Sequence, residues 1–243
     1  MSGVSLDGEL VLVTGGGQGL GAATSRVLAE AGAVVAVTDL REERADAVAR
    51  QIGSCGGKAF ALTIDVGDEH TAPESLAAAA EAHGSLFALI NNAGVDFTKP
   101  LDELTVEQWD TVLRTNLRGP FLLCRAAATV MKRQKRGHIV NVTSTAAKRA
   151  WANASAYHAS KWGLLGLSYA LHSELRPYGV RVCAVVAGGM RTPFLLERFP
   201  DLDPGKLQDP ANVAETIKHV LTQPPGTAIA EVMVIPTEET SWP

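Results

Sequence analysis

The chain is poor in what staples, anchors or positively charges a protein. Among its 243 residues there are three cysteines, Cys55, Cys124 and Cys183, an odd number with no metal-ligand spacing. That pattern excludes a disulfide framework and a Cys/His zinc site, and it fits reduced thiols in a cytoplasmic protein. Basic residues are not in excess: the net charge is −4, so no positive surface invites nucleic acid or an anionic membrane. The one basic run, MKRQKRG from Met131 to Gly137, reads as the last turn of a helix, where cations suit the dipole. Apolar runs such as Val34–Val37 fall far short of the roughly 20 residues that cross a bilayer. The opening MSGVSLDGE has no basic stretch followed by an apolar one, so no secretory signal is read and a cytoplasmic location is expected. No repeat, low-complexity tract or long linker divides the chain, and residues 1–243 are expected to form one domain.

What is present alternates. Short Val/Ile/Leu-rich runs at Leu10–Thr14, Val34–Thr38, Ala59–Ile64, Leu86–Asn91, Ile139–Thr143, Val180–Val186 and Val232–Ile235 read as strands. Most lack polar alternation and are expected to be buried on both faces. Helical patterns fall between them, at Leu20–Ala31, Glu42–Ile52, Pro73–Ala82, Val106–Gln134, Ala156–Leu175 and Ala211–Leu221. A strict βαβα alternation means an α/β fold, a parallel sheet with helices on both faces. The proline-bearing stretch 191–208 is the one long irregular segment, and such segments tend to be lids or binding loops.

Three strand ends carry polar or glycine-rich signals. LVLVTGGGQGLGAAT runs from the first strand straight into a helix, with glycines at 15, 16, 17, 19 and 21. Such a loop lets a ligand approach the backbone, and the helix N-terminus that follows favours a phosphate; a plain flexible turn is the other reading. The second strand ends at Asp39, 18 residues after Gly21. A carboxylate there can accept from both hydroxyls of an adenosine ribose, or it can simply cap the helix near Arg41. The fourth strand ends in LINNAG, where Asn91 and Asn92 can satisfy buried backbone groups and Gly94 can admit a ligand.

SAYHASKWG, Ser155 to Gly163, puts Tyr157 and Lys161 four residues apart, on one helix face. Ser144 follows the fifth strand, 13 residues before Tyr157, so a short loop can return the tyrosine to the same sheet edge. A free phenol titrates near 10 and must fall by roughly 3 units, about 4 kcal/mol, to trade protons near neutrality. An ammonium one turn away is expected to lower it. Asn116 lies in the helical pattern WDTVLRTNLRGPFLL, four residues before Pro120. Proline offers no N–H to the Asn116 carbonyl, which is left free to hold a water; a plain kink is the other reading.

Together, Thr14-Gly15-x-x-x-Gly19-x-Gly21, Asn91-Asn92-Ala93-Gly94, Ser144 and Tyr157-x-x-x-Lys161 resemble the short-chain dehydrogenases/reductases, over roughly residues 8 to 193. The resemblance implies a doubly wound seven-stranded sheet in the order 3-2-1-4-5-6-7. It implies Tyr157 as general acid/base, Lys161 as the group that lowers its pKa and holds a ribose, Ser144 as the substrate-oxygen contact, and Asn116 as a relay position. It implies cofactor contacts from Gly15, Gln18, Gly19, Leu20, Gly21, Asp39, Leu40, Asp65, Val66, Asn91, Ala93, Gly94, Gly188, Met190 and Thr192, besides Tyr157 and Lys161, and a homotetramer.

Two departures stand out. Where the family usually has Pro-Gly, this chain has Ala187-Gly188-Gly189, which is expected to loosen the hinge of the 191–208 segment. The ending VMVIPTEETSWP lacks the glycine-rich close of many 3-oxoacyl reductases. Trp151, between Ser144 and Tyr157, is expected in the substrate pocket, and His158 and His172 are read as ordinary helix residues. Asp39 should sit where the extra phosphate of NADP would go. Gln18 and Leu40 are uncharged, and Arg41 is the nearby cation, so NAD is the expected cofactor.

The expected activity is hydride exchange between NAD(H) and a carbonyl or secondary alcohol. An epimerase or dehydratase with the same Tyr/Lys pair would carry a larger C-terminal substrate domain. A dinucleotide sensor would need the glycine loop but not the four polar residues.

Overall fold

The computed structural model describes residues 3–238; residues 1, 2 and 239–243 of the expected domain lie outside the described residues. The strands are β1 (Leu10–Thr14), β2 (Val34–Asp39), β3 (Lys58–Thr63), β4 (Ala88–Asn91), β5 (Gly137–Ser144), β6 (Val180–Ala187) and β7 (Glu231–Val234). The helices are α1 (Gly19–Glu30), α2 (Glu42–Ser54), α3 (Thr71–His83), α4 (Val106–Leu113), α5 (Gly119–Gln134), α6 (Ser155–Leu175), α7 (Pro193–Leu196) and α8 (Pro210–Leu221). All strand pairings are parallel, in the order β3-β2-β1-β4-β5-β6-β7.

The unbroken apolar run of β1 has a direct cause. Leu10 and Leu12 point into a core with Leu76 of α3 and Leu123 and Met131 of α5. Val11 and Val13 point the other way, into a core with Leu28 of α1, Val48 of α2 and Ile217 of α8. Successive strand side chains alternate faces, and helices cover both, so Leu10–Val13 are all apolar and the first polar side chain of the strand, Thr14, comes only at its end. The edges differ from the expected double burial. In β3, Lys58, Phe60 and Thr63 are exposed, and β7 is only half-buried, because each has a neighbour on one side alone.

The expected single helix Val106–Gln134 is divided. α4 begins at a capping box between Thr105 and Gln108 and ends in a π-helical turn over Arg114–Arg118, where the Gly119 N–H reaches back to the Arg114 carbonyl. Pro120 then opens α5. A proline that cannot bond four residues back makes a wider turn the local solution.

The switch in strand order falls between β1 and β4, which pair as Leu12 with Leu89. Their C-terminal ends are riveted together: Asn92 Nδ2 donates to the Thr14 carbonyl at 2.9 Å and the Gly15 carbonyl at 3.1 Å, and Thr14 Oγ1 accepts from the Asn92 and Ala93 N–H groups, each at 3.0 Å. A crevice at such a switch is the usual ligand position in open α/β sheets.

Candidate active site

A cavity of about 850 Å³ runs along these strand ends. At one end lies the glycine loop. Gly19, with φ of +52°, opens α1, and a Cβ on Gly21 would stand 2.1 Å from the Gly15 carbonyl oxygen, so only glycine lets the helix start close onto the loop. Gln18 makes no side-chain cap on α1 and the first turn has no acidic residue. The first-turn N–H groups therefore suit an anion. Asp39 Oδ2 accepts from the Gly17 N–H and Oδ1 from the Arg41 N–H, both at 3.1 Å. It thus orders the turn into α2 and lines the cavity at once. Anion-ready N–H groups, a carboxylate one strand away and a cavity of this size fit a dinucleotide.

Arg41 is exposed and Leu40 is 67% exposed. Arg41 and Arg44 both line the cavity; Arg44, unnoticed in the sequence, is tied to the loop, its Nη1 donating to Gln18 Oε1 at 2.6 Å. The signal was available, since Arg44 lies in the first turn of the helix that follows Asp39. Farther along the cavity Asp65 pairs with Arg114 at 2.7 Å, and Val66 borders it.

At the other end Ser144, Tyr157 and Lys161 line the same cavity. Lys161 is 4% exposed; its Nζ donates to the Val142 carbonyl at 3.0 Å and stands 5.5 Å from the centre of the Tyr157 ring. Burial pushes the Lys161 ammonium down to about 8. Burial also pushes the Tyr157 phenol up to about 12, against a hydrogen bond with Ser144 and the charge of Arg198, which lower it. The sequence expectation was the reverse, a phenol pulled down by its lysine. A desolvated ammonium tied to a backbone carbonyl does not offset the burial of the phenol.

Asn116 is fully buried and does not line the cavity; its Oδ1 accepts from the Val95 N–H at 2.8 Å, and its Nδ2 donates to the Val95 carbonyl at 2.8 Å and to Ser160 Oγ at 3.1 Å. It still borders the lysine: a Cβ on Gly94 would lie 3.4 Å from Asn116 Oδ1 and 3.8 Å from Lys161 Nζ. Asn91 is turned into the sheet, donating to Asn141 Oδ1 at 2.8 Å and to Cys124 Sγ at 3.2 Å. Gly15, Gln18, Gly19, Leu20, Ala93, Gly94, Gly188, Met190 and Thr192 line the cavity, while Gly21 and Asn91 stand behind it.

The 191–208 segment lines the cavity through Thr192, Phe194, Arg198, Phe199 and Leu202 among others. Its base is not loose: Gly188 N–H donates to the Val234 carbonyl at 2.8 Å, Arg191 N–H to the Gln208 carbonyl at 2.9 Å, and Gln208 N–H to the Gly189 carbonyl at 3.2 Å. Strand-like bridging to Gln208 replaces the rigidity expected to be lost with the proline. Within the segment, Arg198 pairs with Asp96, stacks 3.9 Å from the centre of the Phe194 ring and donates to the Phe194 carbonyl at 2.7 Å. Phe194 in turn lies 5.9 Å from the Tyr157 ring. Asp96 follows the Asn-Asn-Ala-Gly motif by two residues, and Phe194 and Arg198 are four apart on the segment; both signals were legible but carried no known role. Trp151 lines the cavity as expected. His158 does more than expected, accepting at Nε2 from the Trp151 N–H at 3.1 Å and bonding the Ala146 carbonyl through Nδ1 at 2.9 Å.

Among the described residues no group of three or more His, Cys, Asp or Glu side chains could hold a metal ion, and no helix is long and apolar enough to cross a membrane.

Residues 9–203 match the family model described as short chain dehydrogenase. A 2,5-dichloro-2,5-cyclohexadiene-1,4-diol dehydrogenase of Sphingobium indicum is 36% identical over 217 residues, 86% of this chain and 87% of the relative. D-Threitol dehydrogenase of Mycolicibacterium smegmatis is 40% identical over 177 residues, 73% of this chain and 68% of the relative. A metagenomic short-chain oxidoreductase solved in complex with NADP superposes with a TM-score of 0.86 at 36% identity, covering 96% of this chain and 99% of its own. With its sheet order, glycine loop and Tyr-x-x-x-Lys helix, the chain belongs to the short-chain dehydrogenases.

Proposed function

We propose that this oxidoreductase interconverts a carbonyl and a secondary alcohol with NAD(H), using Tyr157 as general acid/base. The observation that carries the reading is the convergence of Ser144, Tyr157 and Lys161 on the cavity that also holds the glycine loop and Asp39. The names of the two relatives, a diol dehydrogenase and a threitol dehydrogenase, are in keeping with alcohol oxidation.

A nicotinamide dinucleotide, when bound, supplies or accepts the hydride. Gly15, Gln18, Gly19 and Leu20 would hold its phosphates, Asp39 and Leu40 the adenosine ribose, and Asp65 and Val66 the adenine. Ala93, Gly94, Gly188, Met190, Thr192 and Lys161 would hold the nicotinamide half. Gly21 and Asn91 would serve by supporting the loop and the sheet end. Ser144 Oγ orients the substrate oxygen. Tyr157, at about 12, keeps its proton at neutral pH and can hand it from Oη to a developing alkoxide, a stronger base. Lys161, at about 8, sits where it can return a proton to Tyr157, with Asn116 bracing the Val95 backbone beside it. The 191–208 segment acts as a lid that keeps water from the reacting carbon.

NAD is preferred in this reading because Asp39 would face the extra phosphate of NADP. Arg44 is the counter-charge that bears on the choice, and the relative solved with NADP makes the comparison of the two cofactors necessary. The test of the function is a cofactor-fluorescence titration followed by a screen of ketones, 3-oxoacyl thioesters and polyols. Cofactor binding with no turnover of any carbonyl or alcohol would favour a sensor and contradict the reading.

A further inference from the structure

Most of the cations that line the cavity are already engaged. Arg114 pairs with Asp65, Arg198 pairs with Asp96, Arg44 donates to Gln18 and Lys161 donates to the Val142 carbonyl. Arg41 is exposed at the glycine-loop end. Arg149 is different. It lines the cavity five residues after Ser144 and is half-buried. Its Nε is shut away from both partner and solvent. Nη1 and Nη2 are accessible and have no acid or carbonyl to bond among the described residues.

The backbone beneath this guanidinium is braced. The Thr145 carbonyl accepts from the Lys148 N–H at 2.9 Å and from the Arg149 N–H at 3.2 Å. Two residues on, His158 Nε2 accepts from the Trp151 N–H at 3.1 Å. The guanidinium stands 5.5 Å from the centre of the Trp151 ring, a cation–π contact. Its neighbour Lys148 turns to Glu231, at 2.8 Å.

A guanidinium keeps its charge at any pH a protein survives. Half-buried, it has lost part of its water, and the protein supplies no counter-charge. In the substrate half of the cavity Arg198 is matched by Asp96, and Lys161 is committed to the cofactor in the reading above. One positive charge is left over. A neutral alcohol would not match it, and a ligand ammonium would be repelled. A phosphoryl group, at about −2, would bring more charge than one cation balances. A carboxylate brings one charge and two oxygens, which fit the Nη1/Nη2 fork.

We propose that Arg149 recognises a carboxylate of the substrate, so that this enzyme prefers oxo acids and hydroxy acids to uncharged ketones and alcohols. The inference rests on the carbonyl/alcohol reading above and names the substrate class for the same cavity.

The test compares 4-oxopentanoate, 5-oxohexanoate and 4-oxocyclohexanecarboxylate, each with its primary amide, which has the same shape without the charge. Wild type, Arg149→Met and Arg149→Gln are assayed at saturating reduced cofactor. A hydrogen bond between charged groups is worth about tenfold or more. The wild-type kcat/KM should favour the acid of at least one pair by about tenfold or more. Both variants should bring that ratio to within about threefold of unity. Calorimetry on protein loaded with oxidised cofactor, which cannot reduce the ketone, should give the same ratios in Kd. A purely structural Arg149 would alter both members of a pair equally and leave the ratio unmoved. If no ketone is reduced but acid binding still exceeds amide binding and depends on Arg149, the reaction reading fails and this recognition stands. Wild-type ratios near unity in every pair, no binding of any of the acids, or a ratio that survives in either variant would overturn it.

Discussion

Lys161 is joined to the Val142 carbonyl by a 3.0 Å hydrogen bond, which anchors a buried ammonium to β5 beside Tyr157. The arrangement trades stability for placement. Burial brings Lys161 from 10.5 to about 8. Below pH 8 both folded and unfolded chains hold the proton, and folding bears the full penalty, about 3 kcal/mol. Between pH 8 and 10.5 only the unfolded chain holds it, so the penalty fades as pH rises. Lys161→Met removes the charge but leaves the Val142 carbonyl unpaired, at about 1 kcal/mol. The variant should melt roughly 4–8 °C higher than wild type at pH 7, with the gap closing towards pH 10. It should also lose turnover and bind the nicotinamide cofactor more weakly. Calorimetric melts at pH 7 and 10 check the first point; no gain at pH 7, or a gain independent of pH, would contradict it.

His138 offers an acid-side counterpart. It is 5% exposed in β5, tilted against Phe87 at 4.9 Å, and burial pushes it down to about 3. Between pH 6.5 and 3 the unfolded chain takes up a proton that the folded chain refuses. Stability is therefore lost as pH falls through that window, by up to about 1.4 kcal/mol per pH unit from this residue. His138→Leu should flatten the fall in Tm between pH 6.5 and 4. Equal slopes for variant and wild type would assign the acid sensitivity to the carboxylates instead.

Cofactor choice is proposed to turn on Asp39. A like charge about 4 Å away at an effective dielectric near 20 costs about 4 kcal/mol before screening. Wild type should show higher kcat/KM with NADH than with NADPH, and Asp39→Ala with Leu40→Arg should shift the ratio towards NADPH. A wild-type preference for NADPH would mean that Arg44, released from Gln18, governs the site.

Self-association is the fourth expectation. On α5 and α6, Phe121 and Trp162 are 45% and 52% exposed, and Leu113, Leu117 and Leu167 line an apolar groove beside Phe121. Light scattering at micromolar concentration should return the mass of a homotetramer. A monomer mass would remove the proposal.

Much of this was legible from short motifs. Strand ends that carry Gly15, Asp39, Asn92 and Ser144 had to meet at one sheet edge once the βα alternation was recognised. Tyr157 and Lys161 had to share a face. What the motifs could not convey was burial. Helical spacing places Lys161 near Tyr157, yet it does not reveal that both are desolvated, and desolvation set the direction of the phenol shift. Nor could it reveal Asp96 with Arg198, or Arg44 with Gln18, because each pair joins segments distant in sequence and depends on how the loops close. The break at Arg114–Arg118 was half-visible: Pro120 signalled the missing bond, but not the π-helical turn that accommodates it.

The central claim is that the proton of Tyr157 Oη is exchanged with the substrate oxygen. Its most direct test is Tyr157→Phe, assayed with the best substrate from the screen and titrated with NADH. The ring still fills its place against Phe194, so the cofactor Kd should stay within about threefold of wild type. Turnover should fall by about 10²–10⁴-fold, the usual worth of general acid–base catalysis. A variant that keeps most of the wild-type kcat would contradict the account.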